Sequence, residues 1–157
     1  LYVDTAIKYL GPSAFEGRVF WLYDTFDGLD PRYSTQTEMS LTRDDYKRPD
    51  MEEEVRTRFA PYDWVRVTKG TIPDILHDQA PKNISFLHLD LNAGDAEVAG
   101  LEILYDRVTD GGIILLDDYG RFEHYELFSR HAAWFNEKGQ SILELPTGQG
   151  MIIKIKS

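Results

Sequence analysis

The sequence predicts an α/β fold: a doubly wound, mostly parallel sheet closed by an antiparallel hairpin. Three apolar runs, at residues 18–24, 84–90 and 112–117, each end on an aspartate, which is how strands covered on both faces read. Between the last two runs, Val98, Leu101, Leu104 and Tyr105 recur at helical spacing ahead of Gly111-Gly112, so strand, helix, glycine turn and strand form a parallel βαβ unit. Residues 141–145 and 151–155 flank a Pro146-Thr147-Gly148 turn and supply the hairpin.

Taken in order, residues 2–10 read as the tail of a helix and residues 18–24 as the first strand. Residues 30–50, polar and containing Pro31 and Pro49, are expected to form a mobile loop or lid. A charged helix near 51–59 leads into a short strand at 64–68, and residues 125–138 form an amphipathic helix with Phe128, Ala132 and Phe135 inward. There is no repeat and no low-complexity tract.

A chain of 157 residues that is 42% hydrophobic is sized for one domain with a real core, so residues 1–157 are read as a single unit. The net charge of -10, from 27 acidic and 17 basic residues, repels a phosphate backbone and argues against nucleic acid as a partner. No run reaches the ~20 apolar residues of a membrane span, and the first residues lack a signal-like pattern, so a cytoplasmic protein with no membrane partner is expected. Homo-oligomerisation stays compatible with this composition. Without cysteine, any metal must be held by Asp, Glu, His or backbone oxygens, which favours hard cations.

In open parallel sheets ligands bind beyond the carboxyl ends of the strands, and Asp24, Asp90, Asp117 and Asp118 all fall at such ends. Each aspartate alone is adequately explained as a helix cap or turn residue. Four together repel one another and raise one another's pKa unless a cation or a ligand's hydroxyls neutralise them. The adjacent Asp117-Asp118, with Asp90 from a neighbouring strand, makes an oxygen-rich site for Mg²⁺ or Ca²⁺.

These residues also carry a resemblance. Leu22-Tyr23-Asp24-Thr25-Phe26-Asp27-Gly28-Leu29, Lys69-Gly70-Thr71-Ile72-Pro73-Asp74, and the module from Asp90 through Gly111-Gly112 to Asp117-Asp118-Tyr119 are similar to the macrocin O-methyltransferase family of Rossmann-like, S-adenosylmethionine-dependent methyltransferases. The resemblance covers most of residues 18–120 and implies methyl transfer from S-adenosylmethionine to a hydroxyl of a sugar or other small-molecule acceptor. It implies that Asp24 binds the donor's ribose, that Gly70, Thr71 and Ile72 border its adenine, and that Asp90, Asp117 and Asp118 bind Mg²⁺. Two departures stand out: Asp90-Leu91-Asn92 replaces the family's Asp-Gly-Asp, and no first strand or glycine-rich acidic loop precedes residues 2–10. Relative to the family, the chain is therefore expected to be N-terminally truncated.

None of the histidines at 77, 88, 124 and 131 is spaced as a paired metal site on one helical face. His88 reads as a packed strand residue. His124, just beyond Asp118, is the candidate general base, against the simpler reading of a solvated residue at a helix start. Thr147-Gly148-Gln149-Gly150 reads as a hairpin turn rather than a phosphate loop. Two rival functions remain at this point: a metal-dependent transferase acting on nucleotide sugars, and a non-catalytic module that kept the fold and lost the donor site.

Overall fold

A computed structural model describes residues 2–41, 47–121 and 125–156. The helices are α1 (Tyr2–Leu10), α2 (Gln36–Leu41), α3 (Met51–Phe59), α4 (Leu76–Gln79), α5 (Gly94–Leu104) and α6 (Tyr125–Glu137). The strands are β1 (Phe20–Asp24), β2 (Val65–Lys69), β3 (Ile84–Leu89), β4 (Val108–Leu116), β5 (Leu143–Glu144) and β6 (Gly150–Ile153). No helix among the described residues is long and apolar enough to cross a membrane.

The strands form two hydrogen-bonded ladders, one of β1 and β2 and one in the order β3-β4-β6-β5. β1 runs parallel to β2 and β3 parallel to β4, while β6 is antiparallel to both β4 and β5. The parallel core and antiparallel closing pair are those expected. The sheet is nonetheless divided, because β1 and β3 each have a ladder partner on one side only among the described residues.

Two expected loops differ. Gly111-Gly112 is not a turn ahead of a strand but lies inside β4, where the register slips from the pair Ile84–Val108 to the pair Phe86–Ile113. Gly111 sits at φ 77°, open to glycine at little cost, and its N–H donates to Lys154 O at 2.8 Å, so the double glycine forms a bulge. The expected lid at residues 30–50 contains α2, whose Glu38 is buried. Residues 42–46 of that lid lie outside the described residues.

The core lies between the larger ladder and helices α5 and α6. Ile114, Leu116 and Ile152 point into it and meet Leu101 and Leu104 of α5 and Trp134 and Phe135 of α6. On α6 the buried residues are Leu127, His131, Trp134 and Phe135; of the stripe expected, Phe135 is fully buried and Phe128 packs partly buried against the core, while Ala132 is half-buried. The opposite face of the ladder is open. Phe86 pairs with Ile113 and Ile113 with Ile153, so the three share a side, and Phe86 and Ile153 are 41% and 53% exposed.

Lys154, just beyond β6, is also buried, with Nζ donating to Tyr105 O at 2.8 Å and Val108 O at 2.7 Å and resting over the Tyr105 ring. A buried ammonium survives because each bond replaces one to water.

Candidate functional site

A cavity of about 190 Å³ opens beyond the carboxyl ends of β1, β2 and β3. Its walls include Asp24, Gly70, Thr71, Ile72, Asp90 and Asn92, so the residues expected at the donor site share one space with the first of the expected metal ligands.

Local chemistry explains how each reaches the cavity. β1 stops at Asp24, whose Oδ1 accepts the Phe26 N–H at 2.6 Å and holds Phe26 at φ 52°. That conformation costs an ordinary L residue roughly 1–2 kcal/mol, which a charge-assisted hydrogen bond offsets. Across the cavity, Gly70 follows β2 directly, and a methyl group there would lie 2.4 Å from Ile75 Cδ1. A side chain at position 70 would have to push Ile75 aside, and glycine leaves the backbone bare. Asn92 closes the third side at φ 54°, a region asparagine enters more readily than most residues.

A polar clasp joins the loops that follow β1 and β2. Arg32 Nη2 lies 2.7 Å from Asp30 Oδ2 and 2.8 Å from Asp74 Oδ2. Tyr33 donates its hydroxyl to Asp74 Oδ1 at 2.7 Å, and Thr71 donates to Asp30 Oδ2 at 3.0 Å. The Arg32 side-chain bond holds the Asp30 carboxyl down at about 2, and the Tyr33 hydroxyl bond does most to lower that of Asp74.

At the cavity's edge, one ligand atom each from His88, Asp90 and Asp117 lies within 4.8 Å of the others. His88 Nε2 is 3.3 Å from Asp117 Oδ1, which also accepts the Gln149 amide at 2.6 Å. Asp90 is open to solvent, yet desolvation by the surrounding walls and then the charge of Asp117 push its carboxyl up to about 6, with His88 pulling it down. One imidazole nitrogen and two carboxylates converging in this way fit a divalent cation whose remaining positions go to water or ligand oxygens.

Asp118 stands apart from this trio. Its side chain is only 6% exposed and pairs with Arg121 Nε at 3.0 Å. Successive positions at a strand end turn to opposite sides, so Asp117 and Asp118 separate while His88 and Asp90 fall on one side. That period of two, together with the strand pairing of His88 and Leu115, is the signal that could have found His88 from sequence. Gln149 comes from the turn read as structural, and nothing local marks it as a partner of Asp117. His124 lies outside the described residues.

A βαβ core with a cavity beyond its strand ends defines the class of open α/β proteins that take their ligands at this edge. Within that class the chain belongs to the macrocin-O-methyltransferase (TylF) family, whose profile matches residues 6–137. A curated relative, demethyldecarbamoylnovobiocin O-methyltransferase of Streptomyces niveus, is 30% identical over 110 residues, covering 65% of this chain and 42% of the relative. The chain thus spans less than half the length of that relative. Among solved structures, the O-methyltransferase NovP superposes with a TM-score of 0.69 at 21% identity, over 88% of this chain and 61% of its own. The calicheamicin methyltransferase CalS11 superposes at 0.71 and 14% identity, over 96% and 65%. At these identities the superpositions establish the fold.

Proposed function

We propose that the protein is an S-adenosylmethionine-dependent O-methyltransferase that acts on a sugar hydroxyl or a similar small-molecule hydroxyl with the help of a divalent cation, Mg²⁺ being the one the family resemblance implies. The observation that carries this reading is Asp90, which lines the cavity and also belongs to the His88–Asp90–Asp117 cluster, so the two sites share a wall. A sugar acceptor is suggested by the description of CalS11 as a TDP-rhamnose 3'-O-methyltransferase.

In this reading Asp24 accepts hydrogen bonds from the donor's ribose, and the bare backbone of Gly70 and Thr71, with the buried Ile72, borders the adenine. His88, Asp90 and Asp117 hold the cation, and Asp118, the third ligand expected from sequence, is held instead by its pair with Arg121. When bound, the cation would supply positive charge that lowers the pKa of an acceptor hydroxyl, and the donor would supply the methyl group. His124 is proposed to take the hydroxyl's proton.

The test has three arms. Calorimetric titration of S-adenosylhomocysteine should give binding that Asp24→Ala weakens about tenfold, as loss of a charge-assisted pair does. Labelled methyl from S-adenosylmethionine should appear on TDP-rhamnose or a related TDP-sugar. That transfer should stop on chelation and return with Mg²⁺. All three arms use the full-length protein, in which failure of S-adenosylhomocysteine to bind would sink the whole reading, whereas transfer that survives exhaustive chelation would remove the cation alone.

A further inference from the structure

Two buried glutamates that the proposed chemistry does not use meet at the N-terminus of α5. Glu97, 2% exposed, accepts the Leu91 N–H on Oε1 at 3.0 Å. Glu38 of α2, 4% exposed, accepts the Gly94 N–H on Oε1 at 2.8 Å and the Thr35 N–H on Oε2 at 2.7 Å. The short loop after β3, which carries Asp90 and Asn92 into the cavity, is therefore pinned at Leu91 and again at Gly94.

Behind Glu97 stands His131 of α6, 1% exposed, with Nε2 2.8 Å from Glu97 Oε2. The ring N–H is not directed at that oxygen, and neither ring nitrogen completes a hydrogen bond among the described residues. This is a close contact rather than an aligned bond, and it backs Glu97 against α6. A buried carboxylate is costly unless its oxygens are bonded, although the positive end of a helix offsets part of that cost. Glu97 has both compensations, and its one main-chain bond is spent on the residue that follows Asp90.

We infer that Glu97, backed by His131, is a positioning residue that fixes the Asp90–Leu91 peptide and so aims the Asp90 carboxylate at the cation cluster. The peptide is planar, so holding the Leu91 N–H also fixes the Asp90 carbonyl and Cα, and with Leu89 held in β3 by its pairing with Leu116 the direction in which the Asp90 side chain leaves the chain is constrained from both sides. Asn92 at φ 54° is kept in its sparse conformation by the same two pins. This inference rests on the cation reading for its consequence, but its geometry stands on Glu97 alone.

The experiment compares Glu97→Leu, which fills the volume without an acceptor, with Glu97→Gln, whose amide oxygen can still accept the Leu91 N–H. Hydrogen exchange over residues 90–94 reads the pin directly, and calorimetric titration with Mg²⁺ reads its consequence. Glu97→Leu should speed exchange and weaken Mg²⁺ about tenfold, the scale on which groups behind a metal ligand act, and Glu97→Gln should restore both. Exchange and Mg²⁺ affinity unchanged in Glu97→Leu would overturn the inference, because a merely structural glutamate would move the melting temperature alone. Should Glu97→Leu fail to fold, Glu97→Asp carries the same comparison, since it keeps the charge and withdraws the acceptor by one methylene. If the unaltered protein takes no Mg²⁺, the cation reading fails, and exchange at residues 90–94 decides the positioning role.

Discussion

In the four-stranded ladder Ile114, Leu116 and Ile152 are at most 1% exposed beneath α5 and α6, whereas no residue of β1 is buried and only Val65 of β2 is. The smaller ladder is instead held by its surroundings. Phe15 stacks on Trp64 at 4.0 Å, Trp21 stacks on Tyr23, and the Tyr23 hydroxyl donates to Gln79 O at 2.6 Å. Both ladders contribute walls to the cavity; one is backed along its strands by the packed core, while the other meets that core through Tyr23, Ile72, Ile75 and Leu76 and is otherwise held by aromatic stacks and surface polar bonds. Such an arrangement keeps the proposed cation side stiff and lets the adenine side open at lower free energy.

The comparison is broken most directly by the same truncation on each side. Leu116→Ala should cost about 2–5 kcal/mol, because the site is sealed and a cavity remains, while Leu22→Ala in half-buried β1 should cost about 1 kcal/mol. Urea unfolding midpoints measure both, and equal losses would show that the two ladders are energetically alike.

A smaller effect is expected at the cation cluster. Asp117→Asn removes a ligand charge at nearly constant volume and should weaken Mg²⁺ binding about tenfold with little change in unfolding midpoint. It also removes a negative neighbour of Asp90, so the Asp90 carboxyl should fall below about 6. In the unaltered protein Mg²⁺ affinity should drop as pH falls through about 6, and in Asp117→Asn the drop should come at lower pH. Without cation the sign reverses for stability. The folded state holds the Asp90 proton up to about 6 while the unfolded chain releases it near 3.8, so this group costs stability as pH rises through that window. Melting curves that ignore pH between those values in the cation-free protein would argue against the crowding of Asp90.

The smallest effect belongs to the clasp. Arg32→Ala should weaken S-adenosylhomocysteine binding on the order of twofold, since exposed ion pairs contribute little. The difference should vanish near 1 M salt, where charges on the surface are screened within about 3 Å. A tenfold loss that persists in salt would place the clasp among the direct donor contacts.

The parallel strands, the βαβ unit and the placement of Asp24 and Asp90 at strand ends are legible in the sequence because they follow from apolar runs and from where such runs end, whereas Gly70, Thr71 and Ile72, which line the same cavity, are pointed to by the family resemblance alone. Three features are not legible there. Gly111-Gly112 reads as a turn by composition, and only the pairing with β3 and Lys154 reveals that it bulges within a strand. His88 reads as a packed residue of the strand before Asp90; its period of two with Asp90 is visible in the sequence, but its other partner, Asp117, comes from the neighbouring strand. Glu38 and Glu97 look like ordinary surface charges. Their burial depends on α2, α5 and α6 meeting, which no local pattern encodes.

The tie made by Lys154 has a consequence for the order in which the molecule can be completed during synthesis. β3, α5 and β4 are translated well before β6, and domains begin to assemble as their segments emerge. Until residues 150–154 arrive, β4 shows an unpaired edge and the carbonyls of Tyr105 and Val108 lack their ammonium. The nascent chain therefore spends the interval between residues 116 and 150 with the strand that ends up most buried exposed along one side, the period in which a ribosome-bound chaperone has most to shield.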